Sequence, residues 1–238
     1  MARAWIVGVG PGASDLLTER ARAAVAQSDA VLAWELNLTP LEGALGGKRL
    51  YIQHPGDYEQ VAAQAAEEMR RSGGTLAVVR IGDALVSSGL TGLLALLHDF
   101  EITLVPGIGS AQLAAAEAGI NLDETVLFSS HEERRWDDER DFLFESFRRG
   151  RHLIVLTGPT QPPQETARYL IGRGVDPDTR ALVGENLSLP DERIERGSLA
   201  ALATRTFHWL SVLVIVHPLG INPLWAGGEL ARAKESTR

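Results

Sequence analysis

Three short segments carry residue types that do chemistry when they cluster. The first is Gly8-Val9-Gly10-Pro11-Gly12-Ala13, which follows an apolar run over 4–7. Glycines after a first strand let the backbone approach a ligand closely. Read loosely, the segment is the dinucleotide fingerprint G-x-G-x-x-A, and Glu35 falls where an acid would hold a ribose. Two details weigh against a nicotinamide or flavin site. Pro11 removes a backbone N–H, and Ser14-Asp15-Leu16-Leu17 intervenes before Thr18 and Glu19, which carry the helix-start signal. A turn that is merely tight is the plainer alternative.

The second segment is Arg80-Ile81-Gly82-Asp83-Ala84-Leu85-Val86, followed by Ser87-Ser88-Gly89. An aspartate beyond a strand end accepts hydrogen bonds from ribose hydroxyls or an amine, or else it caps a turn or the helix starting near Gly89. The third is Val105-Pro106-Gly107-Ile108-Gly109-Ser110, running into Ala111-Gln112-Leu113-Ala114-Ala115-Ala116. Ser110 reads as an N-cap. The small residues Gly109, Ser110, Ala111, Ala114 and Ala115 either leave room for something flat and bulky or let a helix pack closely on a sheet.

Other chemistries are narrowed by composition. The chain has no cysteine, so disulfides, thiolate metal sites and cysteine nucleophiles are excluded. Its six histidines show no H-x-x-x-H spacing, and no metal site is expected. A net charge of −8 argues against a general nucleic-acid binder. No apolar run reaches the roughly 18 residues of a membrane span, and the start lacks the pattern of a secretory signal. The cytoplasm is the expected location. Lys48 and Lys234 are the only lysines, so the positive charge is almost all arginine, which grips carboxylates at two points or merely reflects base composition.

The elements that must position these segments alternate. Strands are expected at 4–9, 29–34, 76–81, 101–105, 125–128, 152–157, 180–184 and 210–217. Helices are expected at 18–27, 57–72, 89–98, 109–118, 138–149, 163–173 and 198–204. This alternation predicts an α/β protein with largely parallel sheet. Asp57 is the expected cap of the second helix and Ser72-Gly73-Gly74 its stop. The run 210–217 lacks alternation, as suits a strand buried on both faces. A boundary near Gly119 divides the chain into lobes 1–118 and 119–238, and the tail after Trp225 is expected to fray.

Taken together, the three segments resemble the tetrapyrrole (corrin/porphyrin) methylase family. Gly8 to Gly12 is similar to its opening G-x-G-P-G. Ile81-Gly82-Asp83 resembles its G-G-D-P or S-G-D-P motif, with Ala84 in place of the proline. Val105 to Ser110 is similar to its V-P-G-I-S-S. The resemblance runs from Trp5 to about Pro223. The stretch 183–194, Val-Gly-Glu-Asn-Leu-Ser-Leu-Pro-Asp-Glu-Arg-Ile, looks like a segment of the cobalt-precorrin-7 (precorrin-6Y) C5-methyltransferase branch. That branch commonly has Ser-x-His-Gly-Arg; here Ser129-Ser130-His131-Glu132-Glu133-Arg134 keeps the histidine and loses the glycine–arginine step.

The resemblance implies a two-lobed class III methyltransferase fold with S-adenosylmethionine in the inter-lobe cleft. It implies cofactor contacts from Pro11, Ile81, Gly82, Asp83, Val86, Gly109, Ser110, Thr157 and Leu187. Substrate contacts are expected from Gly10, His131, Arg134 and Arg135, with the alternatives of an exposed loop histidine and a solvated mixed-charge helix face. No general base is identified. The implied reaction is methyl transfer to a precorrin ring carbon, C5 by the branch. A different ring position, a diphthamide-forming relative, a dinucleotide-dependent oxidoreductase and an inert corrinoid carrier are the alternatives. A homodimer is implied. A C15-methylating decarboxylase is expected to be a separate protein.

Overall fold

The computed structural model describes residues 1–86, 90–131 and 133–220. They form two compact units, Met1–Gly109 and Ser110–Arg238.

The first unit is built on β1 (Arg3–Gly8), α1 (Glu19–Ala26), β2 (Ala30–Trp34), β3 (Arg49–Gln53), α2 (Tyr58–Ser72), β4 (Thr75–Arg80), α3 (Thr91–Leu96) and β5 (Glu101–Val105). The five strands form one all-parallel sheet in the order β3-β2-β4-β1-β5. Side chains alternate across a strand, so each face gathers its own core. Ala4, Ile6, Leu32, Leu76 and Val78 pack with Ala62, Ala65, Ala66 and Met69 of α2 and Leu93 of α3. Val7, Val31, Ala77 and Val79 pack with Ala21, Ala24 and Val25 of α1 on the other face. Thr18 caps α1, its hydroxyl accepting from Ala21 N at 3.1 Å. Gly73 ends α2 in the left-handed region. Asp57 stands at the N-terminus of α2 but does not cap it. Its carboxylate turns back to accept from His54 N at 2.7 Å.

The second unit holds α4 (Ser110–Ala118), β6 (Thr125–Ser129), α5 (Glu133–Arg148), β7 (His152–Leu156), α6 (Pro163–Gly172), β8 (Arg180–Glu185), β9 (Arg193–Ser198), α7 (Leu199–Ala203) and β10 (Ser211–Ile215). Its sheet order is β6-β7-β10-β8-β9. Only β6 and β7 are parallel; β10 runs antiparallel to both β7 and β8, and β8 to β9. The expectation of largely parallel sheet therefore holds for the first unit and is corrected for the second. β10 is buried along its whole length at the sheet centre, as its unbroken apolar run predicts. One face of the sheet packs Leu153, Val155, Val183 and Leu213 against α5, α6 and α7 through Leu143, Leu170 and Leu202.

Helix α4 packs on β10, β7 and β8 through Ala111, Ala114, Ala115 and Ala118. Its alanines thus serve close helix–sheet packing. The same contact moves the boundary: the expected division at Gly119 lies on the far side of a helix that belongs to the second sheet. Sequence reading also misses β3 and β9 and starts α5 five residues late.

Candidate active site

At the first unit's strand ends the three glycine-bearing loops meet. The ends of β4, β1 and β5 are neighbours in the sheet, so the loops leaving them lie side by side. Gly10 and Gly82 form an isolated bridge, Gly82 N donating to Gly10 O at 2.7 Å and Gly10 N to Gly82 O at 3.2 Å. Both need positive φ, 81° at Gly10 and 68° at Gly82, which explains glycine there. Contact with the third loop is tighter. A Cβ on Gly107 would lie 2.3 Å from Gly82 O, and one on Gly8 would lie 2.7 Å from Gly107 N.

Asp83 straps these loops together. Its Oδ1 accepts from Leu85 N at 2.8 Å and its Oδ2 from Gly107 N at 2.9 Å. The turn-forming reading of Asp83 is therefore correct, and it comes with a link from the second loop to the third. Each oxygen keeps lone-pair capacity for a ligand donor. The half-exposed Ile81 and Val86 flank the strap. Ser87, Ser88 and Gly89 lie outside the described residues.

Pro11 and Gly12 do not lead into a helix. A 3-10 turn, Ser14–Leu16, stands before α1 opens at Glu19. No helix N-terminus therefore faces the glycine turn from its own chain direction, as a pyrophosphate site of the dinucleotide type requires.

In the second unit, β7 and β8 flank β10 and point the same way, so their carboxyl ends share one edge. Thr157, past β7, is buried; its N–H and its hydroxyl both donate to Ser211 O, at 3.2 and 2.9 Å. Asn186, past β8, donates its N–H to Leu210 O at 3.0 Å. Thr157 and Leu187 are thereby fixed on either side of the start of β10. Leu187 is buried, and its side chain fills the space a Cβ on Gly184 would take, 2.6 Å away. At the end of β6, Ser130 N donates to Leu156 O at 2.9 Å, which places His131 on the same edge. A Cβ on Gly158 would meet His131 Cα at 3.1 Å.

The His131 Nδ1 shares a hydrogen bond of 2.9 Å with Ser129 Oγ. The ring is partly open to solvent, yet desolvation by surrounding protein lowers its pKa from the usual 6.5. His217 is lowered too, mainly by desolvation and then by His152. Both histidines take up a proton more readily in the unfolded chain. Stability should therefore be full above pH 6.5 and fall as the pH drops below it. Thermal midpoints taken across about pH 5 to 8 should show this acid-side loss, and His131→Asn should reduce it. An unchanged slope in that variant would mean His131 does not carry the effect.

Within 183–194 nearly every polar residue is occupied by the others. Glu185, buried at the end of β8, pairs with Arg193 at 2.7 Å and accepts from His208 N. Glu185 and Arg193 are register partners across the β8–β9 hairpin. Asn186 Nδ2 donates to Asp191 at 2.7 Å, and Ser188 N to Glu192 at 2.6 Å. The segment is a self-braced turn that holds the buried Leu187 in place. Sequence reading names Leu187 and misses the bracing, although the acids four and five residues on are visible in it.

Gly10, Pro11, Ile81, Gly82, Asp83, Val86 and Gly109 lie on the first unit's loops; Ser110 opens α4; Thr157, Leu187 and His131 lie on the second unit's edge. Arg134 and Arg135 fall in the first turn of α5, and their side chains lie outside the described residues. Among the described residues no group of histidines and carboxylates suits a metal, and no helix is long and apolar enough to cross a membrane.

A fold of this kind, with this order of glycine loops, is that of the class III methyltransferases. The family model of the tetrapyrrole (corrin/porphyrin) methylases matches residues 3–203, and the chain belongs to that family. It is 30% identical over 210 residues to the cobalt-precorrin-7 C(5)-methyltransferase of Salmonella typhimurium, covering 88% of this chain and 91% of that one. It is 26% identical over 229 residues to a decarboxylating precorrin-6Y C(5,15)-methyltransferase of Mycobacterium tuberculosis, covering 94% of this chain but 54% of that protein. Among solved structures, a uroporphyrin-III C-methyltransferase of Thermus thermophilus, complexed with S-adenosylhomocysteine, superposes with a TM-score of 0.72 at 22% identity, covering 94% of this chain and 98% of that one.

Proposed function

We propose that the protein transfers a methyl group from S-adenosylmethionine to C5 of a precorrin or cobalt-precorrin intermediate in cobalamin biosynthesis. The observation that carries this reading is the identity with the Salmonella cobalt-precorrin-7 C(5)-methyltransferase over nearly the full length of both chains. The donor set agrees with the cofactor. The Asp83 carboxylate keeps acceptor capacity for an amine or hydroxyls, while the half-buried Ile81 and Val86 offer apolar surface for a ring.

Bound, S-adenosylmethionine supplies an electrophilic methyl group on a sulfonium. The residues of this chain need therefore only bind, orient and exclude water. Pro11, Ile81, Gly82, Asp83, Val86, Gly109, Ser110, Thr157 and Leu187 hold the cofactor in this proposal. Gly10, His131, Arg134 and Arg135 hold the tetrapyrrole, the arginines and the histidine meeting its carboxylates. The same reading makes the protein a cytoplasmic homodimer. It also takes a C15-methylating decarboxylase as a partner.

Calorimetric titration with S-adenosylmethionine, S-adenosylhomocysteine, NAD and FAD tests the proposal. Binding of the two sulfur compounds in the micromolar range, with none from NAD or FAD, is the expected result. A precorrin substrate incubated with enzyme and cofactor should then gain the mass of one methyl group. Binding of NAD or FAD alone would replace this reading with an oxidoreductase.

A further inference from the structure

Among the described residues, two other than glycine have positive φ, Asn186 at 50° and Ser188 at 68°, and they flank Leu187. Asparagine enters the left-handed region fairly readily, whereas serine does so at a distinct cost. Strained residues of this kind persist only where surrounding contacts over-determine them, and they gather at ligand clamps. The over-determining contacts are specific. The Glu192 carboxylate accepts from Ser188 N at 2.6 Å, and Asp191 accepts from the Asn186 amide at 2.7 Å. Below them, Glu185 is fixed by Arg193 and by His208 N. Leu189 N donates to Asn186 O at 2.9 Å and closes the turn. Glu192 and Asp191 are themselves solvent-exposed, so their part is not to fill a core.

We propose that Asp191 and Glu192 are positioning residues: they latch the backbone of 186–188 in its left-handed geometry and so set Leu187 for the cofactor. This rests on the proposed S-adenosylmethionine site and goes beyond it by naming the device that shapes it. Serine rather than glycine at 188 makes the geometry depend on the latch. A glycine would adopt it without the steric cost.

The test uses the full-length protein with Glu192→Ala, Glu192→Gln, Ser188→Gly and the double variant Ser188→Gly/Glu192→Ala. Affinity for S-adenosylhomocysteine is read by calorimetry, and amide hydrogen exchange over 186–189 is read alongside. Glu192→Ala should weaken binding roughly tenfold, equivalent to about 1.4 kcal/mol. It should speed local exchange and leave the thermal midpoint within about 4 °C. Glu192→Gln should bind almost as wild type, since its amide oxygen still accepts from Ser188 N. The double variant should recover most of the lost affinity, because glycine removes the strain that the carboxylate offsets. Wild-type affinity in Glu192→Ala, or a double variant no tighter than Glu192→Ala, would overturn the inference while leaving the proposed function standing. A wild-type protein that ignores S-adenosylhomocysteine would overturn both.

Discussion

Gly107→Ala is expected to lower the thermal midpoint by about 10 °C and to abolish cofactor binding at micromolar concentrations. The added methyl would stand 2.3 Å from Gly82 O and 2.7 Å from the carbonyl carbon and oxygen of Gly8. All three atoms are backbone at the ends of β4 and β1, so no side-chain rotamer relieves the clash. Overpacking commonly costs about 1–3 kcal/mol, and an all-backbone obstacle belongs at the upper end. For a chain of this size, 3 kcal/mol corresponds to a shift of roughly 6–12 °C. The strap from Asp83 to Gly107 N would move with the loop. Gly92→Ala and Gly172→Ala are the matched controls. Both sit in helices with nothing within 4 Å of the added atom. Each should be neutral or stabilising by about 0.5–1 kcal/mol. A Gly107→Ala protein as stable as those controls would show that the loops are not in close contact in solution.

Asp83→Ala is the second large effect. It leaves Leu85 N and Gly107 N without their acceptor. Hydrogen bonds to a charged group contribute about 1.5–3 kcal/mol, and Gly107 N is partly buried. A loss of about 2 kcal/mol in stability is expected by chemical denaturation. Affinity for S-adenosylhomocysteine should fall by more than the roughly 30-fold this energy represents, because the carboxylate would be both strap and ligand contact. Asp83→Asn should be intermediate, since one of its two polar atoms can no longer accept. If Asp83→Ala lost stability but kept cofactor affinity, Asp83 would be a strap only.

The parts of the fold visible in the sequence are those that burial imposes. Strands β1, β4, β7 and β10 are apolar runs because neighbours cover them on both sides. The two unseen strands are edges. β3 reads Arg-Leu-Tyr-Ile-Gln with Arg49 and Leu50 exposed, and β9 reads Arg-Ile-Glu-Arg-Gly-Ser with no residue fully buried. An edge strand has one partner and often one wet face, so its composition resembles a loop. Strand direction was equally hidden. The residues of β10 suit a central strand in either sense, and only the chain's path around it makes the second sheet mixed. The charged start of α5, Glu133 to Asp137, gave no apolar period to read.

At the site, glycine spacing made the three loops legible, because close backbone approach leaves few other residues possible. Their mutual contact was not legible, since Gly8, Gly82 and Gly107 meet only through the strand order. In 183–194 the letters were informative and their physical role was not. Glu185, Asn186, Asp191, Glu192 and Arg193 read as a signature, while their work in one another's hydrogen bonds appears only in three dimensions.

The strand order also sets a timetable for the chain. The β8–β9 turn is sealed by partners five residues apart, a closure of the kind that takes microseconds. The glycine junction waits on long-range pairing. β1 carries the fully buried Ile6 and Val7, yet its partners β4 and β5 lie at Thr75–Arg80 and Glu101–Val105. During synthesis at about 5–20 residues per second, β1 stands exposed for roughly 4–14 s before β4 emerges. An apolar strand held open that long is a target for chaperones and for other nascent copies of itself, so the junction that completes the first unit is also its most vulnerable moment.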